Sequence, residues 1–163
     1  MDDLEATTGN AAAWGTDPTD TVLTHGQGLA NQNDIIMYIW AEIQGYSKFG
    51  NYIGNGSNDG PHVYCGFRPA MVWFKCTTDT GGLAIQDNQI NPYNPNGAYI
   101  WPSASNATET GGAVKTMFYG DGFQVISTSN SSAGNNKSPV LYTYFAWSAE
   151  ALNNSYGSSG NAN

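Results

Sequence analysis

Residues 45–75 read GYSKFGNYIGNGSNDGPHVYCGFRPAMVWFK. Aromatic and aliphatic residues alternate with small or polar ones, and the alternation breaks at Gly54-Asn55-Gly56 and again at Asp59-Gly60-Pro61. A two-residue period punctuated by Gly, Asn and Pro writes strands and turns, not helix. The segment predicts strands over Lys48–Ile53, His62–Phe67 and Met71–Cys76, with Phe67–Ala70 as a hairpin turn between the last two.

The same pattern extends in both directions. Upstream, short β signals fall at Val22–Thr24 and Ile35–Ile43; downstream they fall at Leu83–Gln86, Tyr99–Trp101, Phe123–Ser127 and Leu141–Ser148. Turn formers separate them, as in Asp79-Thr80-Gly81-Gly82, the Pro/Asn-rich run Asn91–Gly97, and Gly120-Asp121-Gly122. No window carries a convincing 3.6-residue apolar period; Ala11–Ala13 is too short, and Ser148–Leu152 has room for one terminal turn. The expected fold is all-β, an antiparallel β-sandwich of jelly-roll-like type, spanning 1–163 as a single domain. Within it, 1–20 reads as a polar lead-in, 21–44 as strands, 45–150 as the main unit and 151–163 as a flexible Gly/Ser/Asn-rich tail.

Bulk composition narrows the function classes. The chain has 163 residues, 11% charged and 13% aromatic, with a formal net charge of −8. Gly, Asn, Ser and Thr together make up about two-fifths of it, replacing the charge of an ordinary soluble protein. The aromatic content supplies burial capacity that disordered chains lack. Five Lys plus Arg offer no cluster to displace counterions from phosphates, which argues against nucleic acid and against an anionic membrane surface. The apolar run Ile35–Ala41 is too short to cross a bilayer, and the acidic start Met1-Asp2-Asp3-Leu4-Glu5 is unlike a secretory signal. Synthesis in a cytosol is the expectation. Cys65 and Cys76 lie at unequal distances from the expected hairpin turn, so two reduced thiols are expected rather than a bridge.

No motif spells out catalysis. His25 sits in a Gly/Gln loop and His62 beside a turn, without a nucleophile-elbow sequence. Asp79, Asp87, Glu109 and Asp121 are the carboxylates weighed for glycoside hydrolysis, but Asp79 and Asp121 stand in ordinary turn contexts. The run Asn55-Gly56-Ser57-Asn58-Asp59-Gly60 imitates the start of a calcium loop, yet its twelfth position is Gly66, so the bidentate carboxylate is missing. Gly54-Asn55-Gly56 lacks the third Gly and the helix of a dinucleotide fingerprint. The chain is therefore expected to be non-enzymatic, with no cofactor and no metal. Aromatics remain. Tyr38, Trp40, Tyr64, Trp73, Tyr144 and Trp147 alternate with aliphatics and should lie in the core or on a half-buried sheet face. Tyr93, Tyr99 and Trp101 lie in or beside a Pro/Asn/Gly-rich loop and are the candidates for a protein interface or for stacking on a glycan.

The 45–75 block also resembles a pattern found in structural and tail-fibre proteins of bacterial viruses, a domain of unknown function common in marine phages. That pattern is GYSKFG, then YxGNGSxDGP, then VYxGFRPAxVxxK, matched here by Gly45–Gly50, Tyr52–Pro61 and Val63–Lys75. A looser match extends over residues 11–150. The resemblance implies a virion structural protein on the particle exterior, a decoration or fibre subunit. Its partners would be copies of itself and other virion proteins, and it would be made in the host bacterial cytoplasm. The alternative it implies is a receptor- or carbohydrate-binding module facing host glycans. An internal echo fits this picture: Ile35–Ala41 lines up with Tyr142–Ser148, each after a Val-aliphatic-hydroxyl strand. It reads either as two generic sandwich strands or as a partial duplicated strand–loop–strand unit preceding a complete one. The resemblance supports the duplicated unit, whose N-terminal strands would pair within the chain or with a neighbouring copy.

Overall fold

The structure, a computed structural model, describes residues 38–79, 81–102, 108–111, 113–131 and 134–149. Its regular elements are all strands: β1 (Ser47–Ile53), β2 (His62–Tyr64), β3 (Pro69–Cys76), β4 (Leu83–Asp87), β5 (Ala98–Tyr99), β6 (Glu109–Thr110), β7 (Thr116–Phe118), β8 (Gly122–Val125) and β9 (Leu141–Ser148). They form a four-stranded sheet of order β1-β9-β3-β4, a three-stranded sheet β2-β8-β7 and the pair β5-β6. Every pairing is antiparallel, as the alternating pattern predicts for an all-β sandwich.

Period two explains which side chains fill the space between the sheets. Val72, Phe74 and Cys76 of β3 and Tyr142, Tyr144 and Ala146 of β9 are buried, and Lys75 between them is exposed. Val63, Phe118, Phe123 and Val125 meet them from the smaller sheet. Phe74 and Phe123 cross edge to face at 5.5 Å, Phe123 and Tyr144 at 5.3 Å, and Tyr52 stacks on Tyr142 at 5.3 Å. Such pairs add about 0.5–1.5 kcal/mol each beyond the area they bury. The opposite face of the four-stranded sheet is aromatic too. Phe49, Trp73, Phe145 and Trp147 are half-buried there, with Trp73 edge-on to Trp147 at 5.2 Å.

One segment joins the sheets along an edge. Asn96 exchanges backbone bonds with Thr116 of β7, and Ile100 exchanges them with Ile85 of β4. Residues 96–100, including β5, thus bridge the larger sheet to the smaller one.

Several expectations need correction. The strands over His62–Tyr64 and Pro69–Cys76 do not form a hairpin. β2 pairs with β8 and β3 with β4 and β9, so Cys65–Arg68 is a crossover between sheets. The turn Asn55–Gly60 likewise joins β1 of one sheet to β2 of the other. The strand expected over Ile35–Ile43 is absent from its described part. Tyr38–Trp40 is not strand and is exposed, with Tyr38 stacked on Trp40 at 5.8 Å. Ile43 instead closes a turn on Ser47, whose hydroxyl accepts from Ile43 N–H and donates to Ala41 C=O. Val22–Thr24, His25 and the tail lie outside the described residues. The short β6 and β7 were not foreseen, having too few residues to display a period. By contact the chain divides into two compact units, Met1–Trp40 and Ala41–Asn163.

Burial makes the core phenols harder to ionise. It raises the pKa of Tyr52, Tyr142 and Tyr144 above the usual 10.0, and burial with the Glu109 hydrogen bond pushes Tyr99 up to about 12. The unfolded chain therefore loses these protons first as pH rises. This contribution to stability is complete below about pH 10 and declines toward pH 12 and beyond. The urea midpoint is expected to hold steady to about pH 10 and then fall. Absorbance at alkaline pH should show Tyr52, Tyr142 and Tyr144 ionising in the native protein only above the pH at which they ionise once urea has unfolded the chain.

Candidate functional site

The most distinctive part of the sequence is spent on holding loops. Asn55 Oδ1 accepts from Ser57 N–H at 3.0 Å, and Asn55 Nδ2 donates to Asp59 C=O at 2.8 Å. Ser57 Oγ accepts from Asp59 N–H at 3.1 Å. These local turns dock on Asn136, which is fully buried. Its Oδ1 accepts from Asn55 N–H at 3.0 Å, and its Nδ2 donates to Ser57 C=O at 2.8 Å and Ser127 C=O at 2.9 Å. Gly56 N–H donates to the Asn136 carbonyl at 2.7 Å. Gly60 must lack a side chain, because a Cβ there would sit on the Val125 carbonyl oxygen. The oxygen-rich run that imitates a calcium loop is thus occupied by its own turns, and no metal-ligating cluster occurs among the described residues.

The neighbouring Asn135 is also fully buried. Its carbonyl accepts from Tyr52 Oη at 2.7 Å and its amide donates to Thr116 Oγ1 at 2.9 Å. Gln86 extends the buried polar layer by donating to Asn96 C=O at 2.8 Å.

The carboxylates weighed for hydrolysis are held apart by separate partners. Asp79 pairs with Lys137 Nζ at 2.6 Å, Glu109 accepts from Tyr99 Oη at 2.9 Å, and Asp87 caps Gln89 N–H at 2.6 Å. Asp121 stands 3.5 Å from His62 Nε2 on the surface. Cys65 and Cys76 are free thiols buried in different sheets' strand ends. Burial, reinforced by Asp121, pushes the Cys65 thiol up to about 12.

The three loop aromatics separate. Tyr93 is 78% exposed, whereas Tyr99 is 4% exposed and belongs to the core. Trp101 is half-buried, edge-on to Tyr99 at 5.3 Å and packed against the core. They form no common exposed platform; the Pro/Asn-rich context that made burial doubtful lies beside a segment that bridges both sheets.

A different aromatic surface was missed. The outer face of β2-β8-β7 presents Tyr64, which is 68% exposed rather than in the core or half-buried as its alternation with aliphatics implies. In the run His62-Val63-Tyr64, Val63 faces the core, so His62 and Tyr64 share the outer side. Tyr64 pairs across with Gly122, and Tyr119 N–H bonds to the Gly122 carbonyl on the other side. A Cβ on Gly122 would collide with the Val63 carbonyl, so no side chain stands between the two tyrosines. His62 lies 5.7 Å from the Tyr119 ring. Tyr119 Oη bonds Gln124 Oε1 at 3.1 Å, and Gln124 Nε2 donates to Asp59 Oδ1 at 3.2 Å and Gly60 C=O at 2.9 Å. Period two at residues 62–64 was the available signal; the pairing that brings in Tyr119 has none in local sequence.

Comparison with known proteins finds one family, a domain of unknown function, DUF7483, whose model matches residues 1–151. The chain belongs to the DUF7483 family. No curated protein and no solved structure matches it. Among the described residues of this DUF7483 domain, the Asn136 rivet is architectural and the surface around Tyr64 is exposed.

Asn136→Ala strips partners from buried backbone groups of two loops, and a loss of about 3 kcal/mol or more is expected in urea unfolding. Asn55→Ala, at an exposed residue, should cost less, on the order of 1 kcal/mol. Iodoacetamide at mildly alkaline pH should leave Cys65 unmodified in the native protein and label it once urea unfolds the chain.

Proposed function

We propose that this protein is a non-enzymatic structural protein on the exterior of a bacteriophage particle, a capsid decoration or fibre subunit acting through contacts with its own copies and other virion proteins. The observation that carries this reading is how residues 45–75 are used. Asn55, Gly56 and Gly60 serve loop packing, while Phe67, Pro69, Val72 and Phe74 serve the core. That use of a block resembling phage structural proteins supports a scaffold role. The engagement of Asp79, Asp87 and Glu109 in separate structural contacts favours a non-catalytic role. Low charge and neutral polar turns suit a subunit that displays a rigid sandwich, as does the absence of a cationic cluster for nucleic acid.

The test is to purify particles of the virus that encodes the chain and label them with an antibody raised against residues 41–163. Electron microscopy should show label at regular positions on the head or tail of intact particles. Label confined to the host lysate, with particles bare, would remove the virion assignment. In parallel, host-surface polysaccharides incubated with the purified protein should release no new reducing ends.

A further inference from the structure

We propose that the outer face of the three-stranded sheet binds a short neutral oligosaccharide, with Tyr64 as the stacking platform. The binding elements beside it are Tyr119, His62, Gln124, Asp59 and Asp121. This reading is independent of where the protein sits, since it concerns a surface of the isolated domain.

Four observations carry it. The first is exposure. Tyr64 offers 68% of its surface to solvent on a sheet face, and its ring lies along Gly66, at φ 79°, which has no side chain to cover it. An exposed aromatic ring matches the C–H face of a pyranose, which buries apolar area without needing a deep pocket.

The second is a neighbouring ring. Tyr64 and Tyr119 stand on strands either side of Gly122. The Tyr119 side chain leans over β8, its hydroxyl on Gln124 and its ring 5.7 Å from that of His62, so a second aromatic ring lies on the same face as Tyr64 beside polar groups.

The third is preorganised polarity. Tyr119, Gln124 and Asp59 are linked in one hydrogen-bonded row, and His62 stands 3.5 Å from Asp121. Amide, carboxylate, imidazole and phenol groups provide donors and acceptors side by side, which is what vicinal hydroxyls require. Because the row is already bonded, little side-chain entropy is lost when a ligand docks.

The fourth is size and charge. Strands of three or four residues in a three-stranded sheet give a patch of roughly 10 Å by 10 Å. A stable protein–protein interface needs about 800 Å² per partner, several times this area. The charged groups in these contacts are Asp59 and Asp121; alternation also puts Lys115 on the outer side, at the margin beyond β7, and on a chain of net charge −8 the balance disfavours anionic ligands. A neutral glycan fits both limits.

The experiment uses the full chain on a printed array of neutral hexose and N-acetylhexosamine oligosaccharides, with sulfated and sialylated ones as charge controls. The strongest neutral binder is then titrated by calorimetry. Tyr64→Ala is expected to weaken binding at least tenfold with an unchanged melting temperature. Tyr119→Ala is expected to weaken it several-fold, and Tyr93→Ala to leave it unaltered. Asp121→Asn provides a second probe that keeps the shape of the patch. A chemical-shift map of the complex should centre on Tyr64 and Gln124.

Failure to bind any neutral glycan overturns the proposal, as does preference for the anionic set. So does binding that survives Tyr64→Ala or is lost with Tyr93→Ala, which would move the site to the loop. A protein partner whose capture depends on Tyr64, with no glycan bound, also overturns it. Each of these results leaves the particle-labelling outcome untouched, so the two readings fail separately.

Discussion

Everything in this fold hangs on how buried loop backbone is satisfied. A sandwich with many short strands must run its connections close to the core, where each N–H and C=O needs a partner. Here one side-chain amide meets much of that demand. Asn136 carries no solvent exposure and binds Asn55, Ser57 and Ser127 through both ends of its amide. Asn is suited to this because its short side chain offers donor and acceptor together without a charge to desolvate. The excess of Asn, Ser and Gly over charged residues is the compositional trace of that solution.

The consequence reaches the surface. Docking Asn55–Gly60 on Asn136 sets where the chain leaves β1 and where β2 begins. Gly60 in turn lies against Val125 and receives Gln124 through its carbonyl. The loop that is locked from inside therefore helps to order the polar row on the outer face of the smaller sheet. Architecture and the exposed tyrosine surface are coupled through the same few residues, and a lesion at Asn136 is felt at both.

Tyrosine plays opposite parts on the two sides of the molecule. Tyr52, Tyr142 and Tyr144 fill the core beside Phe74 and Phe123, with Tyr52 handing its hydroxyl to the Asn135 carbonyl. Tyr64 and Tyr119 stand on a sheet face with their hydroxyls toward water or Gln124. The residue type is the same and the surroundings decide: a buried phenol needs a fixed acceptor, while an exposed one is a ring available for contact.

Local pattern was enough for the all-β class and for the positions of the long strands β1, β3 and β9, because these depend on period two and turn chemistry within a few residues; the cysteines are unbridged as expected, though the hairpin from which that was argued does not form. Pairing was beyond it. β1 lies beside β9 and β2 beside β8, and such contacts between distant segments leave no mark in either segment alone. Side assignment was ambiguous for a related reason: β3 and β9 carry aromatics on both faces, so alternation alone does not say which face is the core. The Pro/Asn-rich setting of Tyr99 reads locally as surface, yet the bridges of 96–100 to both sheets carry it inside. Asn135 and Asn136 look like turn residues in sequence, and their burial exists only because Ser57, Ser127, Thr116 and Tyr52 arrive from elsewhere in the chain. The tyrosine pair on the outer face is of the same kind, assembled by register across Gly122 and therefore a property of the tertiary structure.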